Sequence, residues 1–401
     1  MCVDDTSFQA VASDIGKVED VLVPCVLQFA KMVAKLKLKL SPKAKIVASK
    51  FSQALRVAQG LFKYGVTFRA VKNARDLGIT YGGAKNNNVR SVARFPPKRN
   101  KSGQTELDKR LLRVRSRTAK ISKIAQVSRN ARKLFSGSAF ASGTWGHQAS
   151  GLSVSQTLAL ERQAVAAAGF PAKGRCRTTS LVIAYGVQGT VKSRLIRETV
   201  VAWFSMLKHF KAGESNLLRH AWVEAKRSSK VGDAPVGLMT NMLHIVRNAG
   251  WHPHAFNAWE DTQGWAYALA DATISPTVIA NKLAIATLNK DLARASSHYD
   301  GKGMHKGIDW HVTLATLRAC KGAESYPFKC ALETVLAGAC WPGHRIVSIN
   351  PLFSQACPRC GHHCENSEHT FWECPANENI DHPAVTSTQR LAPAALLQSE
   401  E

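Results

Sequence analysis

The sequence predicts an α+β chain, mainly helical, with short strands near its start and a small Cys/His module near its end. Three observations carry this expectation. Apolar residues recur at three- and four-residue spacing over most of the 401 residues, the mark of amphipathic helices. The stretch from Val66 to Gly83 is instead strand-like and broken by glycines, as paired short strands are. Between Cys357 and Cys374, three cysteines and a histidine fall at C-x2-C-x8-H-x4-C spacing. That set, Cys357, Cys360, His369 and Cys374, supplies the four ligands of a closed, structural zinc site. Pro358 fixes one φ in the Cys-Pro-Arg-Cys-Gly knuckle, and Gly361 frees its exit, so that both sulfurs can face one ion. Cys364, His362 and His363 are spare donors beside it.

A chain of this length buries a real core and has room for two or three units. Lys and Arg number 54 against 28 acids, a net charge of +26. Such an excess repels itself in a compact state, so a polyanionic partner is its natural explanation, nucleic acid first and an acidic membrane surface second. The start, Met-Cys-Val-Asp-Asp, is no secretory leader, and no apolar run approaches the roughly 18 residues of a membrane span. Ten cysteines, scattered outside the box, point to a reducing compartment, cytosol or nucleus.

In chain order, residues 1–11 read as strand, acidic turn and strand, with Asp4 and Asp5 at the tip. Adjacent carboxylates there can hold a divalent metal against phosphates; a solvated turn is the plainer reading of the pair alone. From Asp14 to about Leu40, Val18, Leu22, Val26, Phe29, Val33 and Leu36 mark an amphipathic helix, with Pro24 as a kink or late start. Its lysines, 31, 35, 37 and 39, gather where they suit the helix dipole. Ser41-Pro42 stops it, and Lys43 to Ser49 reads as a turn leading into a strand. A second helix covers Phe51 to Phe62, followed by strand-like pieces at Val66–Phe68 and Ala74–Gly83.

Residues 84–104 form a polar connector, and Glu106 to Phe135 a helix with Leu107, Leu111, Val114, Ile121, Ile124 and Leu134 toward the core. Between Lys85 and Ser136 there are sixteen Lys or Arg and two acids, a local net of fourteen. That run is too one-signed for an ordinary solvated face. His147, in a turn before a helix from Ser155 to Ala168, reads as a packed or capping histidine. Leu181–Tyr185, followed by glycines and Lys192-Ser193, looks like a strand entering a phosphate loop. However, Val191 stands where that loop needs glycine, so the nucleotide-hydrolase reading fails.

From Arg194 to about Gly343 the pattern is mostly helical, with Leu195, Val200, Trp203, Leu207 and Phe210 on one face. Trp251-His252-Pro253-His254 reads as a loop with surface histidines, since no cysteine or acid sits at ligand spacing. Tryptophans 222, 251, 259, 265, 310 and 341 suit helix packing. Phe371-Trp372 is the expected apolar support of the zinc box, and residues 381–401 a disordered tail.

The order of the early parts resembles the second half of a reverse transcriptase palm. Val3-Asp4-Asp5 matches the aromatic-x-Asp-Asp hairpin, although Cys2 stands where the family has an aromatic residue. Lys43 or Lys45 matches the lysine-bearing turn, and Arg75-Asp76-Leu77-Gly78 the Leu-Gly strand pair that grips a primer. The Cys/His box is similar to the one that follows the polymerase in non-LTR retrotransposons. The resemblance implies RNA-directed DNA polymerisation, with Asp4 and Asp5 as magnesium ligands and Lys43 or Lys45 near the leaving pyrophosphate. It also implies RNA and DNA, as template and primer, for partners. Arg75 would support the primer. Lys109, Arg110, Arg113, Arg115, Arg117, Lys120 and Lys123 would lie on a thumb along the duplex.

The implied division is a partial palm (1–83), linker (84–104), basic helical thumb (105–170), helical extension (171–345), zinc box (346–380) and tail. A palm clamps two ions with carboxylates from separate strands, and only one such strand is matched here. The expectation is therefore a polymerase fragment, inactive without its upstream palm and fingers. The alternative is a non-catalytic, zinc-containing nucleic-acid-binding protein.

Overall fold

The computed structural model describes residues 8, 10, 14–41, 44–71, 73–76, 79–82, 106–170, 174–209, 215–229, 235, 237–271, 273–322, 324–394 and 396. Helix α1 spans Ile15–Lys35. Asp14 caps it, its carboxylate accepting from Gly16 N–H at 2.8 Å and from Lys17 N–H, which satisfies two orphan donors of the first turn. Pro24 lies inside the helix. The helix stops five residues short of the expected Leu40, because Lys37 turns left-handed at φ 55°; Lys37 and Lys39 therefore lie beyond its end.

Strand β1 (Lys45–Ile46), helix α2 (Phe51–Phe62) and strand β2 (Arg69–Ala70) follow. The two strands pair in parallel, with α2 as the crossover between them. Val57 and Leu61 of α2 close a small core with Val26, against which Leu22, Val23, Ile46, Val66 and Phe68 pack. Val66 and Phe68, expected in a strand, instead serve this core just before β2. Strands β3 (Asn73–Asp76) and β4 (Ile79–Gly82) form an antiparallel hairpin in which Asp76 faces Ile79. Leu77 and Gly78 lie outside the described residues, as does the expected linker at 84–104.

Helix α3 covers Glu106–Val127. It buries Val114, Thr118, Ile121 and Ala125, whose 4-3-4 spacing keeps them on one face. The helix ends at Val127, short of the expected Phe135, because Ser128 is extended and a 3-10 turn follows at Arg129–Ala131. Ile124 and Leu134, expected in the core, are 51% and 49% exposed, and Ala125 in α3 and Phe135 beyond it are buried instead. Helices α4 (Val154–Ala167), α5 (Arg177–Tyr185), α6 (Val191–His209), α7 (Ser215–Ser228) and α8 (Leu238–Ala249) come next. The expected strand at Leu181–Tyr185 is thus helical. Tertiary contacts override the β-preference of Val182 and Ile183, both buried in α5, and the Tyr185 hydroxyl donates to Ala164 O at 2.7 Å.

Within the expected loop at 251–254, His252 opens a strand. A three-stranded antiparallel meander, β5 (His252–Ala255), β6 (Ala258–Glu260) and β7 (Ala266–Ala268), interrupts the helices. Trp251 stacks on Tyr267 of this sheet at 5.1 Å, and Trp259 is buried in it, whereas Trp265 is exposed. Helices α9 (Pro276–Ala295), α10 (Trp310–Ala319), α11 (Tyr326–Leu336) and α12 (Gly343–Val347) complete the main body. Within the expected tail, Pro383–Gln389 forms a short helix, begun by a proline whose φ is preset for a first turn.

The chain divides into two compact units, one of residues 1–113, 141–154 and 202–244, the other of 114–140, 155–201 and 245–401. In the first, Trp203 packs on Trp222 at 5.5 Å. His147 is buried there with its Nδ1 2.8 Å from Thr144 O, a packed histidine as expected. In the second, Ile279, Leu283 and Leu292 of α9 are fully enclosed. Among the described residues, no helix is long and apolar enough to cross a membrane.

Candidate metal centre and cationic helix

The Cys/His box folds as a knuckle followed by one wide helical turn. Cys357 N–H donates to His362 O at 2.8 Å and Gly361 N–H to Cys357 O at 2.9 Å. Gly361 makes the reversal at φ 74°, where a side chain would be strained. A second rung, Glu365 N–H to Gln355 O at 2.7 Å, closes the base. The turn His369–Glu373 is started by Asn366, whose Oδ1 accepts from His369 N–H at 2.6 Å. It ends with Cys374 N–H on His369 O at 2.8 Å.

These constraints bring the donor atoms of Cys357, Cys360, His369 and Cys374 within 4.8 Å of one another. The Cys357 and Cys374 sulfurs are 3.9 Å apart, and Cys360 Sγ lies 3.3 Å from His369 Nε2. Two sulfurs bound at about 2.3 Å to a tetrahedral ion stand roughly 3.8 Å apart, whereas a disulfide closes to about 2.05 Å. The spacing is that of a shared cation. Cys357, His369 and Cys374 are buried and Cys360 is exposed. Burial resists ionisation of Cys357, but N–H groups of Arg359 and Cys360 and the His369 side chain bring its thiol down to about 6. Cys360 is held up instead: desolvation and the neighbouring Cys374 and Cys357 sulfurs outweigh the His362 N–H that favours its thiolate.

Neighbours fix the centre in place. The His362 ring stacks on His369 at 4.4 Å and 13°, and Arg359 ties Asn377 Oδ1 to Thr370 O. The spare donors Cys364 and His363 are not part of the cluster. Glu365 accepts from Gly343 N–H at 2.7 Å and Ser367 donates to Asp300 at 2.8 Å, which anchors the knuckle to the start of α12 and to the loop after α9. Nothing in the ligand spacing marks Glu365, Asn366 or Asp300; their role emerges only from the packed chain. Phe371 and Trp372, expected as apolar support, are 46% and 37% exposed. The support is hydrogen bonding instead.

The candidate nucleic-acid residues sort differently. Arg113, Arg115, Arg117, Lys120 and Lys123 are exposed, and Lys109 and Arg110 half-buried. At 100° per residue, Lys109, Arg113 and Lys120 fall within about 40° of one another, with Arg117 and Lys123 flanking them. Arg115 sits on the other side of the exposed surface. Arg110 donates to Trp145 O at 2.6 Å and Arg117 to Ser138 O at 3.4 Å. Two further charges of the basic run are spent internally. Arg132 lies 2.9 Å and Arg129 3.8 Å from the carboxylate of Glu333, a residue fully buried in α11. Lys45 is exposed in β1; Arg75 belongs to β3. Asp4, Asp5 and Lys43 lie outside the described residues.

Lys192 and Ser193, the phosphate-loop lookalike, have internal partners. Lys192 Nζ meets Asp291 at 2.6 Å and Glu161 at 3.6 Å, and Arg177 closes on Glu161 at 3.2 Å. Ser193 donates to Val187 O, and Thr190 to Ser193. Burial raises the Glu161 carboxyl above its usual range, against the pull of Lys192, and Asp291 adds to the rise. Compared with protein-family models, curated proteins and solved structures, the chain matches none.

Proposed function

We propose that this chain binds duplex nucleic acid through the flank of α3 that carries Lys109, Arg113, Lys120 and Lys123. We place it in the later part of a non-LTR-type reverse transcriptase, with a zinc ion in its Cys/His centre. The observation that carries the reading is the one-signed exposed flank: no described acid pairs with Arg113, Lys120 or Lys123. Residues 113 to 120 span about 10 Å of helix, enough to reach successive phosphates of one strand. Such contacts position a duplex without reading its sequence. The β3–β4 hairpin around Leu77-Gly78, where the resemblance has a primer-gripping strand pair, supports the polymerase setting. In that enzyme Asp4 and Asp5 would hold magnesium. Zinc suits the centre because three thiolates and an imidazole are its preferred closed set.

The test is fluorescence anisotropy of a labelled RNA–DNA duplex across a salt series. Each released phosphate contact lowers the log–log salt slope by about 0.9. Replacing Arg113, Lys120 and Lys123 by Ala should flatten the slope by about 2 to 3, while Arg115→Ala should leave it nearly unchanged. Equal effects of the two variants would refute the assignment to this flank.

A further inference from the structure

The meander β5–β7 has one face turned inward and one turned out. Pro253 and Trp259 are buried, while His252 and His254 on either side of Pro253 are exposed. The register slips between Pro253 and Ala255, so His254 is the extra residue of a β-bulge, which re-aims its side chain; both histidines are exposed. Glu260 joins them from the neighbouring strand. It sits directly opposite His252 in the register, and its Oε2 accepts from His254 Nε2 at 2.7 Å. On the third strand Ala266 faces Glu260, and with no side chain beyond Cβ it leaves the carboxylate uncrowded. The acid that local spacing lacks around 251–254 is thus supplied across the sheet.

We propose that His252, His254 and Glu260 form a second divalent-metal site, distinct from the Cys/His centre, that takes a zinc-like transition ion. Two imidazole nitrogens and a carboxylate oxygen are the three-ligand set of an open zinc site, with the remaining position left to water. The carboxylate and one imidazole already converge. The two histidine ring centroids are 6.3 Å apart, and two imidazoles on one tetrahedral ion at about 2.0 Å place theirs roughly 5 Å apart. Closing the set therefore needs a swing of the exposed His252 side chain, which makes no described hydrogen bond, and no movement of the strands. Lacking thiolate, this site binds more weakly than the Cys/His centre and exchanges its ion readily.

The full chain, first loaded with one equivalent of zinc, is titrated with cobalt(II) and followed by absorbance. One further cobalt per chain is expected, giving visible d–d bands without the near-ultraviolet thiolate charge-transfer band that cobalt in the Cys/His centre would show. His252→Ala and Glu260→Gln should each weaken this second binding at least tenfold. Both replace exposed or half-exposed groups, so circular dichroism should be unchanged. Absence of a second equivalent overturns the proposal. So does a second equivalent that survives either substitution, because the ion would then not be held by all three residues.

Discussion

The buried charge clusters of the second unit and the outer flank of α3, most of which belongs to that same unit, use ionisable groups in opposite ways. In the interior they converge. Arg129 and Arg132 close on Glu333, Lys192 and Arg177 on Glu161 and Asp291, and four donors turn toward one another in the Cys/His centre. On the outer flank of α3, Arg113, Lys120 and Lys123 are exposed instead. Convergent groups are tied to the stability of the fold, because removing one partner strands the other in a poor solvent. Divergent ones contribute little to folding and stay available to the nucleic acid proposed above. The comparison also shows why a count of basic residues overstates a binding footprint: Arg129 and Arg132 belong to the run of sixteen but serve the core.

The strongest way to break this contrast lies at the Cys/His centre. Cys374→Ser removes a buried ligand, and binding and folding of such a module are coupled. One zinc per chain should fall to none by metal analysis, and proteolysis should open residues 350–380 while leaving α9 protected. A chelator should reproduce the effect on the unaltered chain. Full zinc content in the variant would remove Cys374 from the ligand set.

A smaller effect is expected at Glu333. Arg132→Ala leaves that buried carboxylate with only the more distant Arg129, and should destabilise the second unit by about 3 kcal/mol in urea unfolding. The Arg113/Lys120/Lys123→Ala variant, by contrast, should stay within roughly 0.5 kcal/mol per site. The two variants should also exchange places in the duplex-binding assay, with Arg132→Ala keeping the full salt slope. Comparable losses of stability in both would erase the distinction.

The smallest expected effect is a pH dependence at Glu161. Its carboxyl is raised in the folded chain, chiefly by burial, so the folded state holds that proton to higher pH than the unfolded one. The stability it contributes is complete below the ordinary glutamate range and is lost as pH rises through the raised value. Glu161→Gln should flatten this decline in a series of unfolding curves from acid toward neutral pH. An unaltered decline would assign it to another group.

Much of the molecule is legible in its sequence. The four candidate metal ligands stood out because a knuckle and a short turn are local structures, set by Pro358, Gly361 and spacing alone. Helix α2 and the hairpin around Leu77-Gly78 were likewise written in near-neighbour patterns. The cationic character of α3 was plain, as was the burial of Val114 and Ile121. Where the sequence reading went wrong, long-range packing decided. Leu181–Tyr185 has strand-like residues but is helical in a core that suits that form, and Ile124 lost its expected place to Ala125. The meander at 252–268 was missed because its strands are three or four residues long and their alternation is too brief to detect.

What the sequence by itself determined was therefore the local chemistry: which residues could hold a cation, and which stretch carried an excess of charge. Only the tertiary structure decided which charges were free. Pairing of Arg132 with Glu333 spans 201 positions and that of Lys192 with Asp291 spans 99, and no short-range pattern encodes a meeting of that kind. The same holds for Glu260, six residues from His254 and brought beside it only because β5 and β6 pair. Ligand spacing is a property of the chain, whereas the neutralisation of a charge depends on what the folded chain places against it.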